Sequence, residues 1–394
     1  MADTVLVDAA WLVEVADSGG ILPRCQDVPE RAKVRPEELE PWTMLFMGLP
    51  ILGVLAISYP WLARNHPDEK GEQLRRVAFV LRAFVKVANQ PFPNCKVGVF
   101  WDYCSLPQRH ILGEDDRAPE ELSRFKRALK NINTWYAHPG TYVLLVNTPL
   151  PHDPAYTNLQ EYAGRGWCEA EKRMSLAAKY EQCLIDLSRC DGSEEDLFDA
   201  IGPDGTKVDG IIEKSRSGRP PPQDPPAFSA ALAAGVASGS IKFTNSGDVG
   251  LVSSIYERAF LQELAELPAI AFDNMGWADE DFVQMVASLR FIHVRGGLTK
   301  LEQICCRSNR LGDVGARALA QMLREGVAPA LREVDVRSLH KEAQQQAATQ
   351  LTRSATEELV SAAHGRRVAL HLHDTEEEER ANQRLLGREP AVDG

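Results

Sequence analysis

The chain has 394 residues, a formal net charge of −12 at pH 7 and a charged fraction of 25%. This length exceeds one ordinary hydrophobic core, so two domains with flanking tails are expected. The acidic balance, without a long basic cluster, argues against sequence-independent nucleic-acid binding, because the chain would repel phosphates. Eight scattered cysteines without a C-x-x-C pair are typical of reduced thiols, so we expect a cytoplasmic protein without a metal site.

The first part of the chain carries little functional signal. Residues 1–42 combine a short apolar start with a Pro- and charge-rich section, which predicts an N-terminal arm on the surface. Residues 44–63 form an uncharged run about long enough to span a bilayer, which leaves a membrane-attached receptor as a distant alternative. Pro50 and Pro60 interrupt this run, so the sequence favours a strand buried on both faces at 53–59.

From residue 51 onward, apolar strands alternate with amphipathic helices. We predict strands at 51–59, 97–103 and 141–147, and helices at 71–87, 121–136 and 167–187. This alternation is typical of an α/β fold with a parallel sheet covered by helices. Ligands of such sheets bind beyond the carboxyl ends of the strands, which here means residues 58–61, 102–107 and 147 onward.

The second half begins with a Pro-, Gly- and Ser-rich stretch, residues 201–250, which predicts a linker. A strand-and-helix repeat of about thirty residues follows. Its apolar positions are Leu301, Ile304 and Cys306 with Asn309, then Leu331, Val334, Val336 and Leu339, with a weaker copy at Leu267, Ile270 and Phe272. The segment N-R-L-G-D-V-G-A-R-A-L-A resembles leucine-rich repeats of the ribonuclease-inhibitor type. We therefore expect a small α/β solenoid at 251–373 that binds a protein partner, then a solvated acidic tail at 374–394.

Three short motifs of the first half occur in a familiar order. They are V-L-A-I-S-Y at 54–59, F-W-D-Y-C-S-L at 100–106 and Y-A-G-R-G-W-C-E-A-E at 162–171. Together they resemble the successive motifs of a Toll/interleukin receptor (TIR) domain, and their fuller wording resembles TIR-like proteins of algae and other protists. The resemblance covers about residues 51–187, and we assign the domain to 43–200.

The resemblance implies a flavodoxin-like sheet and, as in enzymatic members of the family, cleavage of the N-glycosidic bond of NAD. NAD would be the substrate, with no resident cofactor. The glutamate that ends the W-C-x-x-E motif is Glu171, so it is the candidate catalytic carboxylate. A fixed carboxylate can stabilise the positive charge that develops on the ribose. The candidate ligand-binding residues are Ser58, Tyr59, Trp61, Asp102, Ser105 and Trp167.

Each of these residues also has a structural explanation. Glu171 can complement the dipole of the first helical turn, Asp102 can cap a turn, and the tryptophans can be core residues. Arg165, where the family usually has serine, can bind phosphate or pair with Glu169 or Asp102. Two functions therefore stay open at this point. One is an enzyme that hydrolyses or cyclises NAD, with the repeats as a sensor or partner surface. The other is a non-enzymatic adaptor that uses the same fold for self-association and the repeats to recruit another protein.

Overall fold

The structure, a computed structural model, describes residues 3–39, 44–46, 49–89, 95–110, 115–202, 205–215, 218–245, 247–337 and 351–372. The chain divides into two compact units. The first unit comprises Met1–Ser175, Lys179–Arg216 and Ser229–Ala259, and the second comprises Leu176–Ala178, Ser217–Phe228 and Phe260–Gly394.

Helices and strands alternate along most of the described chain. In order, the first elements are β1 (Leu6–Asp8), α1 (Ala9–Asp17), β2 (Lys33–Val34), α2 (Pro36–Leu39), β3 (Met44–Phe46), β4 (Leu49–Ile51), β5 (Val54–Ser58), α3 (Glu72–Asn89), β6 (Gly98–Phe100), α4 (Asp102–Ser105), α5 (Pro119–Lys130), α6 (Asn133–Ala137) and β7 (Tyr142–Leu145). They continue with α7 (Gly166–Ala178), β8 (Leu184–Asp186), β9 (Ala200–Ile201), β10 (Lys207–Val208), α8 (Ile211–Lys214), α9 (Pro225–Ser238), α10 (Asp248–Ala265), β11 (Ala269–Ala271), α11 (Asp279–His293), β12 (Gln303–Cys305), α12 (Asp313–Arg324), β13 (Glu333–Asp335), α13 (Arg353–Arg366) and β14 (Ala369–His371). Short 3-10 helices span Cys25–Asp27, Glu30–Ala32, Tyr162–Gly164, Glu181–Cys183 and Leu187–Arg189.

The first unit is built on a six-stranded sheet with the strand order β2-β1-β6-β5-β7-β8. Strands β6, β5, β7 and β8 are parallel, and β1 and β2 add an antiparallel edge. The predicted α/β fold with a mostly parallel sheet is therefore confirmed at this level. Because β5 lies between β6 and β7, its carboxyl end at Ser58 is the middle of the sheet edge where ligands of such folds bind.

Strand β5 is buried along its whole length, as the apolar run around it predicted. All five residues from Val54 to Ser58 are 3% exposed or less. The alternative prediction for this run was a membrane span. Within the described ranges, none of the helices is both long and apolar enough to cross a bilayer.

The structure corrects the prediction of a surface arm at residues 1–42. Strand β1 pairs with β6, and helix α1 packs against α3, with Val7 and Leu12 fully buried. Asp8 caps α1 by accepting a hydrogen bond from the amide of Ala10 at 2.9 Å. Strand β1 has only three residues, which is too short to show a period-two pattern, so its sheet pairing was not visible in the sequence.

The boundaries of two predicted helices also differ. The helix expected at 167–187 ends at Ala178, because Lys179 is extended, and a fourth parallel strand, β8, follows. The helix expected at 121–136 is two helices, α5 and α6. Strand and helix were merged in the first case because short apolar runs fit either period.

The predicted linker at 201–250 is largely structured. It contains the hairpin β9–β10 and helix α9, and α10 begins at Asp248. Pro225 is the first residue of α9, where proline costs no intrahelical hydrogen bond, and the alanine-rich run after it has high helix propensity. Proline density was therefore a poor sign of a linker here.

The second unit contains a four-stranded parallel sheet, β11-β12-β13-β14, with α11, α12 and α13 between successive strands. Ile270, Ile304, Val334 and Leu370 are neighbours in register across the four strands. Ile270, Ile304 and Val334 belong to the predicted repeat, and all three are buried. Leu339 and the acidic tail at 374–394 lie outside the described residues.

Asn309 follows β12 and holds the turns of two neighbouring repeats together. Its side chain is buried, and its amide donates to the carbonyls of Phe272 and Cys306 at 2.8 and 2.9 Å. Its carbonyl accepts from the amides of Met275 and Trp277, each at 3.0 Å. Its amide also donates to the Arg307 carbonyl at 3.4 Å, so one asparagine bonds to five backbone groups, which buried turns would otherwise leave without these partners.

Candidate functional site

The side chain of Glu171 points into the first unit, toward the carboxyl end of β5. Glu171 lies in the second turn of α7 and is only 8% exposed. The hydroxyl of Ser58 donates to Glu171 Oε2 at 2.6 Å. The helix that carries the W-C-x-x-E motif and the first parallel strand therefore meet at this carboxyl group.

The environment of Glu171 favours the protonated acid. Burial raises its pKa to about 8, the hydrogen bond from Ser58 opposes the rise, and the negative charge of Asp102 adds to it. Because the ordinary pKa of a glutamate is near 4.3, most Glu171 side chains are neutral at pH 7. A carboxyl group with a pKa near the ambient pH can exchange its proton during a reaction.

Two hydroxyl groups connect Glu171 to the backbone of its own helix. The Ser58 hydroxyl lies 2.7 Å from the Tyr162 hydroxyl, which donates to the Cys168 carbonyl at 3.2 Å. Each hydroxyl has one proton to donate. With neutral Glu171 the acid can donate to Ser58, Ser58 to Tyr162 and Tyr162 to Cys168, so that every group has a partner. With ionised Glu171, Ser58 donates to the carboxylate, and the single proton of Tyr162 cannot serve both Ser58 and Cys168.

Asp102 is the second carboxylate of the site, and it fixes the loop after β5. It accepts hydrogen bonds from the hydroxyl of Tyr59 at 2.8 Å, the indole of Trp61 at 3.0 Å and the amide of Tyr103 at 2.6 Å. Burial raises the pKa of Asp102, and these three bonds oppose the rise. Asp102 therefore positions two of the predicted binding residues, Tyr59 and Trp61, after the carboxyl end of β5.

Arg165 has partners that sequence reasoning did not consider. Its guanidinium donates to the carbonyl oxygens of Gln160, Trp61 and Asn158. Neither of the expected partners, Glu169 and Asp102, is involved in these bonds. Arg165 is buried and ties the loop before α7 to the loop after β5, which is a structural function.

The remaining predicted residues have contacts that stabilise the site's surroundings. Ser105 is fully buried, and its hydroxyl accepts from the amide of Trp101 at 3.0 Å. Trp167 is half-buried, and its indole donates to Asp248 Oδ2 at 2.9 Å. Its position four residues before Glu171 places both side chains on one face of α7.

The structure thus joins Ser58 to Glu171 and joins Tyr59 and Trp61 to Asp102, whose charge acts on Glu171. The charge of Glu171 also acts on Tyr136 and Tyr162. Tyr162 belongs to the Y-A-x-x-x-W-C motif, so its position was visible, although its contact with Ser58 was not. Tyr136 donates to the Ile57 carbonyl at 3.1 Å from a neighbouring helix. Nothing in the sequence around Tyr136 connects it with a residue 35 positions away on another helix.

The thiols near the site are unsuited to nucleophilic attack. Burial raises the pKa of Cys104 and Cys168 well above the ordinary value, so both stay protonated. In the described part of the chain, no three His, Cys, Asp or Glu side chains are grouped so as to hold a metal ion. The chemistry of this site therefore depends on the two carboxyl groups and the hydroxyls around them.

Comparison with known proteins adds no assignment. No protein-family model matches the chain, and no curated protein matches it. The interpretation of the site rests on its geometry and on the order of the sequence motifs.

Proposed function

We propose that the first unit is a TIR-like domain with a flavodoxin-like sheet that cleaves the N-glycosidic bond of NAD, with Glu171 as the catalytic carboxylate. The observation that carries this proposal is the buried carboxyl group of Glu171, hydrogen-bonded to Ser58 at the carboxyl end of the central strand. A carboxyl group in that place can act on a sugar bound beyond the strands.

The proposed reaction uses the carboxylate form. Breaking the bond between ribose and nicotinamide builds positive charge on the ribose, and a fixed carboxylate stabilises it. The nicotinamide ring of NAD is itself cationic. Its binding beside Glu171 would therefore lower the pKa of Glu171 and favour the ionised carboxylate. Burial keeps the group neutral in the free protein, and the substrate would ionise it.

The other predicted residues have distinct proposed roles. Trp61 and Trp167 present half-buried indoles that can stack on a planar ring. Asp102 positions Tyr59 and Trp61, and Ser58 orients the carboxyl of Glu171. Ser105 is proposed only as a support of the loop after β6, because its hydroxyl is engaged by a backbone amide.

The second candidate function is a non-enzymatic adaptor in the cytoplasm, which self-associates and recruits a protein partner. The parallel sheet of the second unit favours it, since strand-and-helix units in register resemble a short leucine-rich-repeat solenoid. Such surfaces bind proteins and seldom carry chemistry. The low exposure of Glu171 also fits a structural carboxyl group.

Nicotinamide release from NAD distinguishes the two functions. We expect the full-length protein to release nicotinamide and Glu171→Gln to be slower by at least about 100-fold, as is typical when a charge-stabilising group is lost. Glu169→Gln is the matched control, because it removes a carboxylate two residues earlier that pairs with Arg173 at 2.7 Å. Equal release by wild type and Glu171→Gln, or none by assembled wild type, would reject the enzyme in favour of the adaptor.

A further inference from the structure

A segment far along the chain lies against the start of α7. We call residues 240–245 the strap. The amide of Gly166 donates to the carbonyl of Lys242 at 3.0 Å, and the amide of Lys242 donates to the carbonyl of Gly164 at 2.8 Å. These bonds make a parallel bridge between Arg165 and Lys242. The strap therefore adds a short strand-like contact to the W-C-x-x-E motif.

Side chains complete this contact. The ring of Phe243 lies so close to Gly166 that a Cβ added there would be 2.0 Å from the ring carbon Cζ. Just after the strap, Asp248 accepts the indole proton of Trp167 at 2.9 Å and an amide proton of Asn245 at 3.0 Å. Glycine at 166 thus leaves the space that the Phe243 ring fills.

The attachment of the strap is one that can open locally. Lys242, Thr244 and Asn245 are exposed, and Phe243 is only half-buried. Gly239, with φ of +75°, turns the chain at the end of α9 just before the strap. Segments with exposed backbone hydrogen bonds and little buried apolar surface open at a small fraction of the free energy of global unfolding.

We infer that the strap is an autoinhibitory cover, which holds Trp167 and Gly166 at the start of α7 and must lift before a nucleotide-sized ligand reaches Glu171. Trp167 and Glu171 share one face of α7, one turn apart, so a ligand that stacks on the indole would approach the carboxyl group from the side of the strap. Glu171 itself is hydrogen-bonded to Ser58, and the strap acts on it through the start of α7. The regulatory meaning of the cover rests on the role proposed for Glu171, but the cover itself can be measured without turnover.

Two variants lift the strap from opposite sides. Gly166→Ala places a Cβ within 2.0 Å of the ring, far inside the roughly 3.5–4.0 Å at which carbon atoms pack, so the ring must move. Phe243→Ala removes the ring and leaves α7 unchanged. The double variant has no clash and is expected to match Phe243→Ala. Phe198→Ala is the control, because this phenylalanine is 44% exposed elsewhere in the first unit.

Amide exchange and carboxyl labelling report on the strap in full-length protein whose circular dichroism is unchanged. Exchange at Gly166 and Lys242 is expected to be about tenfold faster or more in Gly166→Ala and in Phe243→Ala, because their bonds join the strap to α7. Modification of Glu171 by a carbodiimide and an amine, followed by mass spectrometry, is expected to be faster by a similar factor. Labelling of Glu171 within about twofold of wild type, or unchanged amide exchange, in both variants overturns the inference.

Nicotinamide release from NAD separates this inference from the proposed function. Faster labelling together with faster release in Phe243→Ala supports both the cover and the enzyme. Faster labelling without release by any variant leaves the cover in place and rejects NAD cleavage. Asp248→Ala removes the acceptor of the Trp167 indole proton and serves as a further variant if the others do not fold. It is also expected to make the labelling of Glu171 faster.

Discussion

At the scale of single residues, the protonation of Glu171 decides what the site can do. A neutral carboxyl group can be hydrogen-bonded to Ser58 in a direction that satisfies Tyr162 and Cys168 as well, whereas the ionised form takes one donor away. Burial raises the pKa of Glu171 to about 8, so the proton that the unfolded chain loses near pH 4.5 stays bound in the folded protein. Stability then depends on pH in a definite direction.

The first prediction at this scale concerns Glu171→Gln. Since the folded pKa is raised, the contribution of Glu171 to stability is fully present below about pH 4.5 and is lost as the pH rises toward 8. Glutamine cannot ionise, so the variant gains stability relative to wild type as the pH rises. We expect this stability difference to be larger at pH 9 than at pH 5 by a few kcal/mol, on the order of the linkage energy.

Urea unfolding at pH 5, 7 and 9, followed by tryptophan fluorescence, measures this difference. Glu169→Gln, on the same helix, measures the effect of losing a carboxylate whose side chain is only partly buried. Its change in the free energy of unfolding is subtracted from that of Glu171→Gln at each pH. A stability difference between Glu171→Gln and wild type that does not grow with pH would contradict the raised pKa.

At the scale of elements, the second unit shows how one polar residue sets the register of neighbouring repeats. Ile270, Ile304 and Val334 stack in register because consecutive turns are held at a fixed spacing. Asn309 provides part of that spacing, with five hydrogen bonds to the backbone of two turns. An apolar residue at 309 would fill the space and leave the backbone groups unpaired.

The prediction at this scale is that Asn309→Ala destabilises the second unit by about 2–4 kcal/mol, because it leaves buried backbone groups without partners. Thermal unfolding and amide exchange at Met275 and Trp277 measure the loss, since these two amides donate to Asn309. Thr299→Ala, at an exposed position of the same unit, is the control and is expected to change stability by less than about 0.5 kcal/mol. A loss for Asn309→Ala no larger than for Thr299→Ala would mean that the turns hold without it.

At the scale of the whole molecule, the core of the first unit is assembled from distant parts of the chain. One continuous cluster of buried side chains includes Val7 and Leu12 near the N-terminus, Leu55 in the central strand, and Ile211 and Ile212 after the hairpin β9–β10. The division into two compact units does not follow the order of the chain. Ser217–Phe228 belongs to the second unit, and the next segment, Ser229–Ala259, belongs to the first. Domain boundaries drawn at 43 and 200 therefore cut through one core.

The corresponding prediction compares two fragments. Residues 43–200 lack the partners that Val7, Leu12, Ile211 and Ile212 provide, and we expect this fragment to aggregate or to unfold without a cooperative transition. Residues 1–259 keep the whole cluster and are expected to unfold cooperatively. Soluble expression and differential scanning calorimetry test both, and a cooperative transition in the shorter fragment would show that the outer segments add little.

The sequence by itself determined the local features. Alternating apolar and amphipathic segments predicted the central parallel strands, and the order of three motifs selected Glu171, because periodicity and spacing are encoded in neighbouring residues. The tertiary structure alone decided the edge strands β1 and β2, the strand β8 and the contact between Ser58 and Glu171, which are 113 positions apart. It also decided the pKa of Glu171 and the docking of the strap, because burial and hydrogen bonding depend on which distant residues fold together, and no local pattern records that distance.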